Sequence, residues 1–193
     1  AALLQGDKVI VPHNLPLIQK KKALPLFIPS LYTANDLMIS GINKTMCSHM
    51  GGSKISFRKK YGLKKYELDN YLSRERWPAG LVRRVLRGIP RRAYVSIKRD
   101  TCLLPAEISF TPEVLWLIGL YIAEGCSRKN QSKKGYYQIS FAAQEEFIRK
   151  KIRKTCRAMF NLRPSRETRD ALIYSSKLFY LFFTEYFPCG SRA

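Results

Sequence analysis

Apolar residues in the second half of the chain alternate between helical and strand spacing. A helix is predicted over residues 112–124, because Thr111 can cap its first turn and Pro112 suits the first helical position. Glu113 favours the positive end of the dipole, and Gly125 is predicted to end the helix. The pattern then predicts hairpins over 126–142 and 166–174, and helices over 145–160 and 175–187. This order predicts an α+β fold with helices on one face of an antiparallel sheet.

The helix over 145–160 is amphipathic. Its apolar positions, Ile148, Ile152, Cys156, Met159 and Phe160, are predicted to point inward. Its basic positions, Arg149, Lys150, Arg153, Lys154 and Arg157, are predicted to face outward or to cover the flanks. The pattern is typical of a helix that lies on the surface of a sheet.

The first half of the chain shows shorter patterns. They predict three helices and one strand, over residues 54–62, 66–72, 81–88 and 94–97. The two helices on either side of Trp77–Gly80 resemble a helix-turn-helix, and they carry many Lys and Arg. Residues 5–12 are predicted to form a turn and a short strand. Residues 13–53 are predicted to be irregular, with a linker at Gly51-Gly52-Ser53.

The net charge of +21 changes the interpretation of these helices. Like charges repel in a compact state, so the excess indicates an acidic partner, first a phosphate backbone and second an anionic membrane. Residues 54–100 and 126–193 each carry fifteen of the 35 Lys and Arg, whereas 101–125 carry none and hold three Glu. A protein that only coats phosphate needs no such gap. A protein that holds a cation near DNA does.

Membrane-spanning segments and zinc-binding Cys patterns are absent from the sequence. No run of about eighteen apolar residues is present, and residues 1–6 do not form a signal peptide. The five Cys are scattered and none forms a C-x-x-C pair, which indicates a reducing compartment without disulfides or zinc. We therefore predict an intracellular protein of the cytoplasm or nucleoid, with no membrane partner.

Glu124 conflicts with the dipole of its own predicted helix. It lies in the last turn, where the helix dipole disfavours a carboxylate by about 0.3–1 kcal/mol. No Lys or Arg within residues 101–125 can neutralise it. A divalent cation can, since carboxylate and carbonyl oxygens are ligands that suit Mg²⁺. On the same helix Gly119 and Ala123 lie one turn apart, which would let two helices approach closely.

Residues 117–125 resemble the LAGLIDADG motif of homing endonucleases. Five residues match the motif outright: Leu117, Gly119, Leu120, Ala123 and Gly125. Glu124 replaces the final acid of the motif with another acid, and the remaining positions are ones at which the family varies. The elements predicted after the motif also follow the order of a LAGLIDADG half-domain, αββαββα, so the resemblance covers roughly residues 110–193.

The resemblance implies that the chain is a site-specific endonuclease that cuts double-stranded DNA in the homing of an intein or intron. It implies that Glu124 is the catalytic acid and that Glu124 and the carbonyl of Gly125 hold Mg²⁺ or Mn²⁺ for phosphodiester hydrolysis. It implies that the helix pairs with a second motif helix, through Leu117, Gly119, Leu120 and Ala123. Since the chain shows one copy of the motif, we expect a homodimer or a truncated polypeptide whose second half follows residue 193. The usual catalytic Lys has no convincing equivalent here.

Duplex DNA is the expected partner. The predicted DNA contacts of the half-domain are Arg128, Lys129, Lys133, Lys134, Tyr136, Gln138, Ser140, Arg166 and Arg169. Those of the basic helical region are Lys64, Lys65, Arg83 and Arg84. Gln138 and Ser140 alternate along a strand and could read base edges, whereas the Lys and Arg would contact phosphate.

Residues 6–12 resemble the end of the N-terminal splicing block of an intein. The resemblance divides the chain into 1–12 (end of the splicing block), 13–53 (linker), 54–105 (basic, mainly helical DNA-recognition region) and 106–193 (endonuclease half-domain). Splicing itself requires a nucleophile at residue 1, which is Ala1 here, and a terminal His-Asn pair, which is absent.

Two other functions stay open. A non-catalytic DNA-binding regulator could use the same half-domain, although such relatives lose the metal-binding acid. A basic RNA-binding or ribosomal protein would also explain the charge, and it should prefer structured RNA over duplex DNA.

Overall fold

The computed structural model describes residues 26–28, 37–98, 102–129, 136–188 and 191–192. Its first half contains β1 (Leu26–Phe27), β2 (Leu37–Ser40), α1 (Asn43–His49), α2 (Lys54–Tyr61), α3 (Lys65–Arg74), β3 (Arg76–Pro78), α4 (Ala79–Leu86), β4 (Tyr94–Ile97), β5 (Leu104–Pro105) and β6 (Glu107–Ile108). Strands β1 and β6 pair with each other, and the other four form an antiparallel sheet in the order β3-β2-β4-β5.

The second half begins with a helix and builds a separate sheet. It contains α5 (Pro112–Glu124), β7 (Gly125–Lys129), β8 (Tyr137–Ala142), α6 (Glu146–Phe160), β9 (Arg166–Glu167), β10 (Ala171–Ser175), α7 (Lys177–Tyr186) and β11 (Ser191–Arg192). The sheet order is β11-β7-β8-β10-β9, antiparallel except where β11 joins β7. The predicted α+β class is confirmed.

Local sequence signals explain where the predicted helices begin and end. Thr111 Oγ1 accepts a hydrogen bond from the Val114 N–H at 3.4 Å, so Thr111 is the N-cap of α5, which begins at Pro112. Helix α2 ends at Gly62, whose φ of 67° is left-handed and therefore suits glycine. Both boundaries agree with the sequence prediction.

Helices α5, α6 and α7 pack on one face of the five-stranded sheet. Ile139 and Phe141 of β8 are fully buried, whereas the alternate residues Gln138 and Ser140 are only half-buried. The buried face meets aromatic side chains of the helices: the ring of Phe141 lies 5.8 Å from that of Phe183 and 6.5 Å from that of Tyr121. The other face of the sheet therefore stays open among the described residues.

The apolar core runs without a break from the four-stranded sheet to the five-stranded one. The Ala106 N–H donates to the Ala93 carbonyl at 2.8 Å, and Asn161 of the second half donates to the Leu103 carbonyl at 3.4 Å. The division predicted between residues 105 and 106 thus falls inside a continuous core.

The helix-turn-helix prediction for residues 66–88 is wrong. The residues between α3 and α4 form strand β3, which pairs with β2, so the two helices are joined by a piece of sheet. Trp77 explains this, because its ring is fully buried and its Nε1–H donates to Asn43 Oδ1 at 3.2 Å. The region predicted to be irregular also differs, since β2 and α1 occupy residues 37–49. The strand predicted at residues 5–12 lies outside the described residues.

Arg149 contradicts the prediction that the basic side chains of α6 face outward. It is only 7% exposed. Its Nη1 donates to the carbonyls of Ala143 at 2.9 Å and of Arg169 at 3.3 Å, and its Nη2 contacts Glu167 Oε2 at 3.2 Å. A buried guanidinium is tolerated only with such partners. Here the partners tie α6 to the turn between β9 and β10.

Within the ranges described, no helix combines the length and the apolar character that crossing a membrane requires.

Candidate nucleic-acid interface and acidic site

Helix α5 delivers Glu124 to the edge of the sheet. Glu124 is the last residue of the helix and is exposed, and the last turn contains no basic residue. Gly125 follows at once as the first residue of β7, and its N–H donates to the Tyr121 carbonyl. The helix therefore passes into the sheet with no connecting residue, so the sheet constrains the backbone at Glu124.

Glycine is required after α5 because a side chain has no room there, and not because the backbone is left-handed. Its φ is −87° and its ψ 151°, an extended conformation that any residue adopts. A Cβ at this position would lie 2.7 Å from the Cα of Tyr121 and closer still to the ring and carbonyl of that residue. Tyr121 is itself 1% exposed and packs 4.5 Å from the ring of Phe183, so it cannot yield.

Helix α5 is apolar on two sides. One side packs on its own sheet through Val114, Leu117, Ile118 and Tyr121. The other side leaves Leu115 48% and Ile122 46% exposed, with Gly119 and Ala123 exposed beside them and Leu120 half-buried. A Cβ at Gly119 would meet no atom within 4 Å, so the surface there is open. An apolar face of this kind normally packs against another element.

Leu117 corrects the predicted set of helix-pairing residues. It is fully buried in the core of its own chain and cannot take part in a second helix contact. Periodicity explains the error, because Leu117 lies one turn before Tyr121 and one turn after Val114 on the sheet side. Of the predicted set, Gly119, Leu120 and Ala123 remain available, and Leu115 and Ile122, which the motif did not identify, complete this face.

The open face of the five-stranded sheet carries polar side chains in cross-strand rows. Register places Arg128, Gln138 and Ser175 in one row, and Cys126, Ser140, Ile173 and Arg166 in the next. Gln138 Nε2 donates to Ser175 Oγ and Ser140 Oγ donates to the Cys126 carbonyl, both at 3.3 Å. These bonds orient the polar side chains on a surface that no described helix covers.

The structure thus brings together four of the predicted DNA-contacting residues, Arg128, Gln138, Ser140 and Arg166. Lys129 lies on the opposite face, where its Nζ lies 5.8 Å from the ring centroid of Tyr137, and Tyr137 packs against Tyr180 of α7. Tyr136 is 46% exposed just before β8, and Arg169 is exposed in the turn between β9 and β10. Lys133 and Lys134 lie outside the described residues.

The basic residues predicted in the first half lie on helices rather than on this sheet. Lys64 and Lys65 are exposed at the start of α3, where the Lys64 N–H donates to Glu67 Oε2 at 2.8 Å. Arg83 and Arg84 are exposed on α4, opposite the buried Leu81 and Val82. These four residues therefore lie on two helices of the first half and not on the strands of the open face.

Sequence reasoning missed the place of Ser175 on the open face and the burial of Arg149 on the other side of the sheet. Ser175 joins the row of Arg128 and Gln138 only through strand pairing, which no local pattern indicates. Arg149 left a signal, because it lies three residues before the buried Ile152 and therefore on the inner face of α6.

One carboxylate, that of Glu167, holds the β9–β10 hairpin to α6, and Glu146 of α6 binds the same arginines. Arg153 donates to Glu167 through Nε at 3.1 Å and Nη2 at 2.9 Å, and to Glu146 at 2.8 Å. The hydrogen bond from Arg153 holds the pKa of Glu167 below its ordinary value, with Arg149 adding to the effect. The pKa of Glu146 is lowered by the same guanidinium. The hairpin that carries Arg166 is therefore held by α6, on the side of the sheet opposite the open face.

The donor set for a divalent cation at Glu124 is incomplete within the chain as described. No group of three His, Cys, Asp or Glu side chains lies together anywhere in the described ranges. One exposed carboxylate at a helix C-terminus fits half of a two-acid magnesium site and no more. A magnesium site at this position would need further oxygen ligands.

Comparison with known proteins gives one informative similarity. No protein-family model matches the chain. The chain is similar to the DNA polymerase II large subunit of Thermococcus kodakarensis, with 28% identity over 133 residues, which cover 65% of this chain. The match spans 7% of the length of that relative, so it concerns a small segment of a much longer polypeptide.

Proposed function

We propose that this chain is one half of a LAGLIDADG-type endonuclease that cuts duplex DNA, and that Glu124 is its metal-binding acid. The observation that carries the proposal is the placement of Glu124. It is exposed at the end of an apolar helix and directly precedes the strand whose outward residues, Cys126 and Arg128, line the open face. A duplex on that face would lie next to the carboxylate.

In the proposed site, Glu124 and the carbonyl of Gly125 would hold Mg²⁺ or Mn²⁺. Such an ion, when bound, lowers the pKa of water and stabilises charge on a phosphate undergoing hydrolysis. The chain supplies the position of the acid, because Gly125 joins the backbone of Glu124 to the sheet without a linker. The second acid would come from a second copy of the motif helix.

The exposed face of α5 supports pairing with such a helix. Leu115 and Ile122 would be removed from water, and Gly119 would let the two backbones approach closely. A two-fold arrangement would bring two Glu124 side chains together at the crossing. It would also set the two open faces side by side, as one continuous surface for DNA.

Each polar residue of the open face has a distinct part in this proposal. Arg128 and Arg166 would contact phosphate, whereas Gln138 and Ser140 alternate with buried residues and would face base edges. An intein context agrees with the similarity to a short segment of a long DNA polymerase subunit, since an inserted unit would match only that part of its host.

Cleavage of a long duplex in Mg²⁺ tests the proposal through Glu124→Gln. We expect the variant to cut at least about 100-fold more slowly than the unmodified chain, because it loses the carboxylate ligand of the metal. Glu113→Gln is the matched control, since it removes an exposed carboxylate from the other end of the same helix and should cut normally.

The outcomes separate the candidate functions. Equal cutting by the unmodified chain and Glu124→Gln would contradict the active-site assignment. Salt-sensitive binding to duplex DNA without cutting by any variant, even at concentrations at which the chain self-associates, would favour a non-catalytic regulator. Preference for structured RNA would favour an RNA-binding protein.

A further inference from the structure

Helix α6 borders a basic cleft on the outer surface of the protein. The cleft has a volume of about 640 Å³, and its rim carries Lys150, Arg153, Lys154, Arg157 and Arg163. Leu162 and Pro164 form its apolar floor, and Glu167 is the acid that lines it. The sequence prediction placed the four of these residues that lie on α6 outward or on the flanks of the helix.

The charge of the cleft is not neutralised by its own acid. Glu167 is already bound by Arg153 at 2.9 Å and by Arg149 at 3.2 Å. Lys150, Lys154, Arg157 and Arg163 form no ion pair with any residue in the described ranges. Glu113 of α5 acts on Lys154 only at longer range. Four cations therefore share one surface without a counter-ion.

Helix stability does not explain this arrangement. The dipole favours Arg157, which lies in the last turn, but it gives no reason for Lys150 in the first half of the helix. Lys150 and Lys154 lie four residues apart, as do Arg153 and Arg157, and like charges at that spacing repel. Cations that repeat about one helical turn apart suit a polyanion with repeated charges better than a single small anion.

The cleft lies on the far side of the sheet from the open face. Helix α6 packs on the helix-covered side, where the ring of Phe160 lies 4.9 Å from that of Phe179 and Cys156 is fully buried. Its basic side chains therefore point away from the row of Arg128 and Gln138. A single straight duplex on the open face cannot reach both surfaces.

We propose that this cleft binds the phosphate backbone of a second segment of duplex DNA, so that one molecule holds two segments. Phosphate contacts of this kind require charge and spacing but no base reading, and the cleft offers charge and spacing. Binding at the cleft does not depend on Glu124, whereas the holding of two segments rests on the proposed binding of a first duplex at the open face.

Charge reversal tests the proposal in the full chain. The test variant carries Lys150→Glu, Lys154→Glu and Arg157→Glu, and the matched control carries Lys150→Arg, Lys154→Arg and Arg157→Lys. These three positions are chosen because their side chains are exposed. Neither variant should therefore disturb the core. Thermal unfolding of both variants verifies that they fold.

The first measurement is the salt dependence of binding to a short duplex of random sequence. We expect the slope of log Kd against log salt to fall by about 0.9 for each lost contact, or about 2.7 for three. The second is energy transfer between two differently labelled duplexes mixed with the protein. We expect transfer with the unmodified chain and the control, and its loss with the reversed variant.

An unchanged salt slope and unchanged energy transfer in the reversed variant would overturn the proposal. So would a reversed variant that loses binding to structured RNA but keeps its binding to duplex DNA. Variants of the open face keep the two proposals apart, since Arg128→Glu should weaken DNA binding at the proposed cleavage surface while leaving the far-side cleft intact.

Discussion

Gly119 and Gly125 serve opposite purposes in and after the same helix. Gly119 faces open space, where a side chain would touch nothing within 4 Å. Gly125 faces Tyr121 so closely that no side chain fits. The two glycines therefore differ, because the fold of the chain does not require the first and does require the second.

Alanine at the two positions should shift stability in opposite directions. Gly119→Ala should raise the free energy of unfolding by about 1 kcal/mol, because alanine favours a helix interior. Gly125→Ala should lower it by about 1–3 kcal/mol, because the new methyl group overlaps Tyr121. Urea unfolding measures both values, and a shift of the same sign in the two variants would contradict the contrast.

The sequence predicts the positions of some of these residues and not of others. The capped start of α5 and the exposed Glu124 follow from local signals within a few residues. Leu117 was misplaced because a motif records which residues recur and not which side of the helix they occupy. The burial of Arg149 depends on carbonyls of Ala143 and Arg169, and the second of these is brought near only by the folded hairpin.

Helix α6 and the β9–β10 hairpin are joined by one network of charges. Arg149 and Arg153 both bind Glu167, and Arg149 also holds the turn at Arg169. Because Arg166 lies on the same hairpin, the network fixes the edge of the open face from the opposite side of the sheet. Exposed ion pairs stabilise little alone, but Arg149 is buried.

Stability should depend on pH through this network. The folded pKa of Glu167 is lowered from its ordinary value of 4.5, so its contribution is fully present above pH 4.5 and is lost as the pH falls through the folded pKa. The melting temperature should therefore be steady down to about pH 4.5 and decrease below it.

Glu167→Gln should make that decrease shallower, because its side chain no longer titrates. Glu185→Gln changes an exposed glutamate of α7 and serves as the control. Identical pH profiles for the two variants, measured by thermal unfolding between about pH 6 and pH 3, would show that the network does not contribute.

The elements of the second half were predictable because their signals are local. Helix caps, the break at Pro164 and the alternation of Gln138, Ile139 and Ser140 all act within one element. The first half is different. Strands β2 and β3 are short, and Trp77 of β3 is held by a hydrogen bond to Asn43, which lies 34 residues away in sequence. Residues paired over such separations leave no periodic pattern.

At the scale of the whole molecule, the basic residues and the exposed apolar residues occupy different surfaces. The open face and the cleft carry cations, whereas Leu115 and Ile122 expose apolar surface on α5. A net charge of +21 opposes association between copies. Bound polyanion would relieve that repulsion, so DNA binding and pairing of two halves should favour each other.

Ile122→Glu should therefore reduce self-association. We expect the variant to stay monomeric in sedimentation at concentrations at which the unmodified chain, with added duplex, forms a dimer. Leu181→Glu is a control of the same type, at a half-buried position on α7 away from this face. Equal association of both variants would exclude α5 as the contact between copies, while an unmodified chain that never associates would point to a second half within a longer polypeptide.

The direct passage from α5 into β7 has one more consequence. Because no residue separates Glu124 from β7, we expect the helix and the sheet to move together. In the proposed pair, the crossing angle of the two helices would then set the angle between the two open faces, and hence the curvature of the surface that meets the duplex. Side chains buried between the two helices would then influence how far the DNA target must bend, although these side chains do not contact the DNA.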